Sequence, residues 1–294
     1  MPRKIARCLF ALLFLVGLGV LTYPTISNQW NTYRQSQLIS SYQETVAAMS
    51  PEDFSAEWTQ ANTFNATITH NDIYGDVFGE DLENNEQSDY RQTLNIRGDG
   101  IMGYLTIPKI NVKLSIYHGT SDSVLQTGVG HLNGTSLPIG GQGTHCVLAA
   151  HRGLPSSKLF TDIDQLEEGD MFYIRVLDET LAYQVEQILP MVESTDMDTL
   201  SKALAIDDNE DYVSLFTCTP YGVNTHRLIV RGHRVPYEPE EITDDNAPAA
   251  VVVDAVKNYY MLYLIAGLAI ALVLILLLRL IFARKNKKGV KEDS

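Results

Sequence analysis

The stretch SLFTCTPYGVNTHRLIVRGH, residues 214–233, reads as two strand-forming runs folded about a turn. Residues 214–218 end on a cysteine, Pro220, Gly222 and Asn224 supply the turn, and a second β-rich run follows His226 and Arg227. The hairpin sets an all-β neighbourhood and leaves one thiol, Cys218, at a strand end opposite Arg227. A disulfide, a metal ligand, inert packing and a nucleophile are four uses open to that thiol.

Working outward from the hairpin, short runs of the same kind recur between Gly, Pro and Asn turns from Gly103 onward. They cover 104–107, 114–117, 144–150, 171–177, 181–188, 212–218 and 228–233, which predicts a closed barrel or a sandwich. Residues 178–180 read as a tight hairpin, and 156–166 as a short helix crossing the barrel. The acidic connection 191–211 reads as a cover over one mouth.

Upstream, Trp30, Tyr33, Leu38, Tyr42, Val46 and Met49 recur at helical steps and predict one apolar helix face. Ser50-Pro51-Glu52-Asp53 then reads as an N-cap, a first-position proline and a capping carboxylate, opening a helix over 51–64 that buries Phe54, Trp58 and Ala61. Residues 65–98 lose all periodicity and read as a solvated linker, a binding loop or a lid.

Two segments are built for a bilayer. Residues 1–23 place Arg3, Lys4 and Arg7 before an apolar run that lacks a small-residue cleavage site, which favours an uncleaved anchor. Residues 258–278 contain no charge, long enough at about 1.5 Å per residue to cross a bilayer core. Tyr259, Tyr260 and Tyr263 form an aromatic belt at the edge of that segment, and Arg284, Lys285, Lys287 and Lys288 follow it. Positive charge outside both segments places both termini in the cytoplasm and residues 24–258 on the extracellular face of the cell membrane.

The whole chain carries −14. With +3 in the first segment and +4 after residue 258 set aside, the exported part carries −21. So acidic a surface excludes nucleic acid as a partner. The organisation that follows is 1–23 anchor, 24–98 N-terminal helices and lid, 99–236 barrel, 237–257 acidic stalk, 258–282 membrane helix and 283–294 basic tail.

The chemistry centres on Cys218, because a thiolate forms only where local charge favours it. Arg227, across the turn, brings a permanent cation with several N–H donors suited to an oxyanion or a peptide carbonyl. His151, in VLAAHRGLP, sits at another strand mouth and is the histidine placed to act as acid and base. His226 adjoins Arg227, but alternation sends the two to opposite faces. Cys146 reads as inert: Cys146, Leu148 and Ala150 share one face of their strand, Val147 and Ala149 the other. Neither exported cysteine has metal-type spacing to another Cys or His.

These residues carry a resemblance. SLFTCTPYGVNTHRLIVRGHR is similar to the catalytic hairpin of sortases, with its T-L-x-T-C signature followed by an arginine. THCVLAAHRGLPSSKLFTDIDQL resembles the sortase histidine segment, and residues 100–141 resemble the opening strands. The similarity covers most of 70–236, and the two membrane segments fit the pilus-assembling class C sortases of Gram-positive bacteria.

The resemblance implies an eight-stranded sortase β-barrel with N-terminal helices and two flanking transmembrane helices, a thiol transpeptidase needing no cofactor. His151, Cys218 and Arg227 are implied as its catalytic residues. Its substrates are pilin or surface proteins bearing an LPxTG-like sorting signal, and its acceptor is the lysine amine of a pilin. Attachment to a cell-wall bridge amine is the neighbouring reading, and a non-catalytic partner-binding β-domain is the reading from another class.

The chain departs from the family pattern at two places. Ser214 stands where the signature has Thr, which keeps a hydroxyl. Class C lids carry an Asp-Pro-aromatic motif, and the matching place reads Asp76-Val77-Phe78, so Asp76 and Phe78 are the implied lid residues without proline's fixed φ. The acidic run Asp207, Asp208, Glu210 and Asp211 raises calcium as a further idea, although such runs are more often solvated loops.

Overall fold

The computed structural model describes residues 3–68 and 88–238, together with Gly267. Its first element, α1 (Arg3–Ala47), is one 45-residue helix. Among the described residues it is the one helix long and apolar enough to cross a membrane, by length and composition. Phe14, Val20 and Leu21 are more than two-thirds exposed, and Trp30, expected on the packed face, is 57% exposed.

The change of character comes at Ser27. From there α1 is stitched to the rest of the chain: Asn31 Nδ2 donates to Ser156 O at 2.7 Å, and Gln35 Nε2 to Thr127 O at 2.6 Å. Tyr42, 1% exposed, donates to Met102 O and accepts from Leu177 N. The predicted second helix forms as α2 (Pro51–Asn65), opened by the Ser50–Asp53 capping box. Ala61 is fully buried, with Phe54 and Trp58 packed on the core beside it. A short α3 (Ser88–Gln92) precedes the barrel.

Eight strands follow: β1 (Ile101–Ile107), β2 (Val112–His118), β3 (Val129–His131), β4 (Thr144–Ala149), β5 (Met171–Val176), β6 (Glu179–Glu193), β7 (Asp211–Thr219) and β8 (His226–Val235). They close in the order β1-β2-β3-β4-β7-β8-β6-β5. The β2/β3 and β4/β7 pairs are parallel and the rest antiparallel. Seven strands overlap the runs expected from sequence. The eighth, β3, has three residues, too few to show a period of two.

Two clusters hold the barrel. The larger draws on all eight strands, from Leu105 through Ile116, Val129, Leu148, Ile174, Val185 and Leu215 to Val230, and fills the interior. The smaller lies outside, where Leu200, Ala203 and Leu204 of α5 (Met197–Ala203) and its end cover Val147, Ala149, Phe216 and Ile229. The alternation expected for β4 is therefore observed, with Cys146, Leu148 and Ala150 inward and Val147 and Ala149 outward. The connection 191–211 divides into the end of β6, α5 and a turn.

Residues 156–166 do not form the expected helix. They hold turns and one 3-10 turn, Ile163–Gln165. Leu159 adopts φ +39, Lys158 N donates to Asn28 Oδ1, and Thr161 O accepts from Arg152 Nε. Backbone groups that a helix would pair are taken by side chains from elsewhere. The second membrane segment, 258–278, lies outside the described residues apart from Gly267.

Candidate active site

Strand parity places the chemistry. On β4, β7 and β8 the interior positions include 146, 148 and 150, then 213 and 215, then 228 and 230. Positions 147 and 149, 216, and 229 face outward. Extending that alternation by one step puts His151, Cys218 and Arg227 all on the outer face.

Register then lines them up. Cys218 pairs with Arg227 across β7 and β8. The parallel β4/β7 ladder ends with Ala149 opposite Phe216, and Ala150 N donates to Phe216 O at 3.2 Å. Two steps on, His151 falls opposite Cys218. Adjacent strands lie roughly 4.8 Å apart, so the register puts Cys218 beside Arg227 and, continued past the end of β4, beside His151.

Each member is held locally. Cys218 is 6% exposed at the end of β7, and the Thr219–Pro220 peptide that follows is cis. The turn closes on Pro220 O, which accepts from Val223 N and Asn224 N, with Asn224 at φ +62. Arg227, 4% exposed, donates through Nη1 to Asn224 O at 2.9 Å and His226 O at 2.8 Å. The turn thus orients the guanidinium against its own backbone. His226 takes the opposite parity and bonds Thr225 Oγ1. His151 is half-buried, its carbonyl accepting from Phe160 N.

Burial lowers the His151 pKa below its ordinary 6.5, and the charge of Asp122 partly offsets this. Asp122, on the short helix α4 (Asp122–Leu125), had no signal in the sequence, because its effect reaches His151 through space. Met191, Tyr221 and Val223 are each more than half exposed. Met191 Sδ lies 4.0 Å from Thr219 Oγ1, and Tyr221 and Val223 belong to the turn after Cys218.

Two of the open readings for the thiols close here. Cys146 lies inside the barrel, where burial pushes its thiol well above the ordinary value. It pairs with Val213, five residues before Cys218, so the two cysteines are roughly 16 Å apart along the strands, too far for a disulfide. Both are free thiols.

Nor does the acidic run converge. Asp211 accepts from Tyr183 Oη and Gly141 N, while Asp207 accepts from Asn209 N within its own turn. Among the described residues no three His, Cys, Asp or Glu side chains are grouped to hold a metal ion. The other histidines described in the strands serve the fold. His131 bonds Tyr90 and Ser136 O, and His145 bonds Ala205 O and Ser214 Oγ, the hydroxyl that replaces the signature threonine. Asp76 and Phe78, the implied lid residues, lie outside the described residues.

Comparison with known proteins agrees with this geometry. Residues 105–235 match the model of the Sortase domain. Sortase C-1 from Streptococcus pneumoniae is 44% identical, with a TM-score of 0.63 over 69% of this chain and 100% of that one. The pilus-related Sortase C of Group B Streptococcus is 37% identical, with a TM-score of 0.59 over 67% of this chain and 97% of that one. Sortase SrtE1 from Streptomyces coelicolor is 33% identical over 144 residues, which span 46% of this chain and 40% of that protein's length.

Proposed function

Because the chain belongs to the sortase family, we propose that it is a membrane-anchored cysteine transpeptidase of the pilus-assembling class C. What supports this is the strand register, which pairs Cys218 with Arg227 and, continued two residues past the end of β4, sets His151 opposite Cys218.

The reaction follows from that arrangement. His151 takes the proton from Cys218 Sγ as the sulfur attacks the Thr carbonyl carbon of an LPxTG-like signal. The carbonyl oxygen becomes an oxyanion, stabilised by the Arg227 guanidinium. The Thr–Gly C–N bond then breaks and the imidazolium returns its proton to the departing glycine amine. A thioester on Cys218 remains. A pilin lysine amine attacks it, losing a proton to His151, and the sulfur leaves and recovers that proton. Splitting the exchange into two halves makes it ping-pong. Asp76 and Phe78 fit a lid over this cleft, and the helix α1 fits an anchor that leaves the barrel outside the membrane.

The acceptor separates this reading from its neighbour. Full-length protein in detergent micelles is given an LPxTG peptide together with a pilin-derived lysine peptide and a cell-wall bridge peptide, and the products are resolved by mass. Transfer to the lysine peptide is expected to exceed transfer to the bridge peptide. Preference for the bridge amine would make the protein a wall-anchoring sortase instead.

A further inference from the structure

The β4/β7 ladder stops short of the two residues it has to align. Its last paired positions are Ala149 and Phe216, an offset of 67 kept along the whole strand pair. His151 and Cys218 share that offset but lie beyond the last ladder bond. Cys218 is still held on its other side by pairing with Arg227 of β8, whereas His151 lies two residues past the end of β4, where a strand tip frays unless something else ties it down.

Two side-chain hydrogen bonds carry the same offset onward. Thr217 Oγ1 donates to Ala150 O at 2.6 Å, and Arg152 Nη1 donates to Thr219 Oγ1 at 3.1 Å. One joins the residues just before the histidine and the thiol, and the other joins the residues just after them. Thr217 is fully buried and Thr219 is 5% exposed. Arg152, its side chain 9% exposed, is fixed at two further points, donating through Nε to Thr161 O at 3.2 Å and through Nη2 to Asp164 at 2.6 Å. Gly153 N donates to Thr161 Oγ1, so the loop that supplies those acceptors is itself closed onto the strand mouth.

We infer that Thr217, Arg152 and Thr219 are positioning residues that set His151 opposite Cys218. The inference rests on the proposed transpeptidase reading. Its physical basis is the demand of the proton transfer: imidazole and sulfur must come within about 3 Å, and a misplacement near 1 Å costs on the order of 100-fold in rate. Backbone pairing cannot supply that precision past its own end, whereas a bond on either side removes the shear between the two strand tips. The carbonyl of His151 is held as well, by Phe160 N.

A merely structural threonine would change the melting temperature and leave the rate per folded molecule alone. The test therefore reads both, on the full chain in detergent micelles. Thr217→Val, which keeps the shape and loses the hydroxyl, is expected to slow thioester formation at saturating peptide roughly 10- to 100-fold, with half-saturation unchanged. Thr217→Ser, which keeps the donor, is expected to recover most of the rate, and Thr219→Val to show a loss of the same kind. Equal acylation rates in wild type and Thr217→Val, or failure of Thr217→Ser to recover, would overturn the assignment.

A second readout needs no peptide. The alkylation rate of Cys218, located by peptide mapping, is followed against pH. An imidazole held beside the thiol gives an inflection, and Thr217→Val is expected to weaken it. An inflection identical in the two proteins would also overturn the assignment. Absence of a peptide adduct in wild type would instead count against the transpeptidase reading, and the alkylation profile would still decide the positioning role.

Discussion

Cys146 and Cys218 are both less than a tenth exposed, yet they belong to different chemistries because they fall on opposite sides of adjacent strands. Part of that difference was legible in the sequence: alternation groups Cys146 with Leu148 and Ala150, while Cys218 stands at a strand end; which face is interior came from the packing. The same parity argument separates Arg227 from His226. What the sequence could not display is the environment of His151. Burial lowers its basicity and Asp122, about 30 residues upstream, raises it again, a balance set by distances in space. If neutral His151 is the base, acylation rises with pH through the imidazole pKa, and that acid limb lies below 6.5. Asp122→Asn removes a charge that favours the imidazolium, so the limb moves to still lower pH. The shift shrinks in high salt, because Asp122 is exposed and its field is screened. Acylation rates against pH for the two proteins check this; a limb that stays in place or moves upward would contradict it.

At the scale of elements, readability followed length and regularity. The capping box before α2 and the 51–64 helix were visible because their signals are local. β3 was not, since three residues show no period, and neither was the irregular course of 156–166, whose backbone partners Asn28 and Arg152 come from distant or non-adjacent positions. The helix α1 illustrates both cases. Its apolar periodicity correctly marks Tyr42 and Val46 as buried, whereas Trp30, on the same nominal stripe, stays exposed although Ser27 and Asn31 on either side of it bond Ser156. Tyr42 ties α1 to β1 and to the turn after β5 at once, donating to Met102 O at 3.0 Å and accepting from Leu177 N at 2.8 Å. Tyr42→Phe leaves two buried backbone groups short of a partner, which costs about 1–3 kcal/mol for each group left unsatisfied. Urea titration should show a lowered midpoint with an unchanged slope. An unaltered midpoint would mean that α1 is not bound to the barrel through this residue.

At the scale of the whole molecule, an anchor helix, a closed barrel and a three-residue row are arranged in one chain. The apolar, exposed part of α1 ends near Ile26, and Ser27, Asn28 and Asn31 then bond Ser156 and Lys158, a few residues past His151. The helix long and apolar enough to cross a membrane thus continues directly into contacts with the loop that follows His151. The run of short strands and the hairpin were readable because strand periodicity and turn signals are properties of short stretches, and the closed barrel was implied by the resemblance they carry. The closing order of the strands, the second apolar cluster under α5 and the tethers at offset 67 depend on pairing between distant segments, which no window of sequence contains. In the proposed reading they serve one thiol, Cys218, on which an acyl group is formed and passed on. The most direct test is intact mass spectrometry of the full chain in micelles after mixing with an LPxTG peptide, with wild type and Cys218→Ala side by side. The account predicts a mass increment equal to the peptide lacking its residues from Gly onward, present in wild type and absent in the variant. The same increment in both proteins, or none in wild type even when Phe78→Ala removes the implied lid, would contradict it.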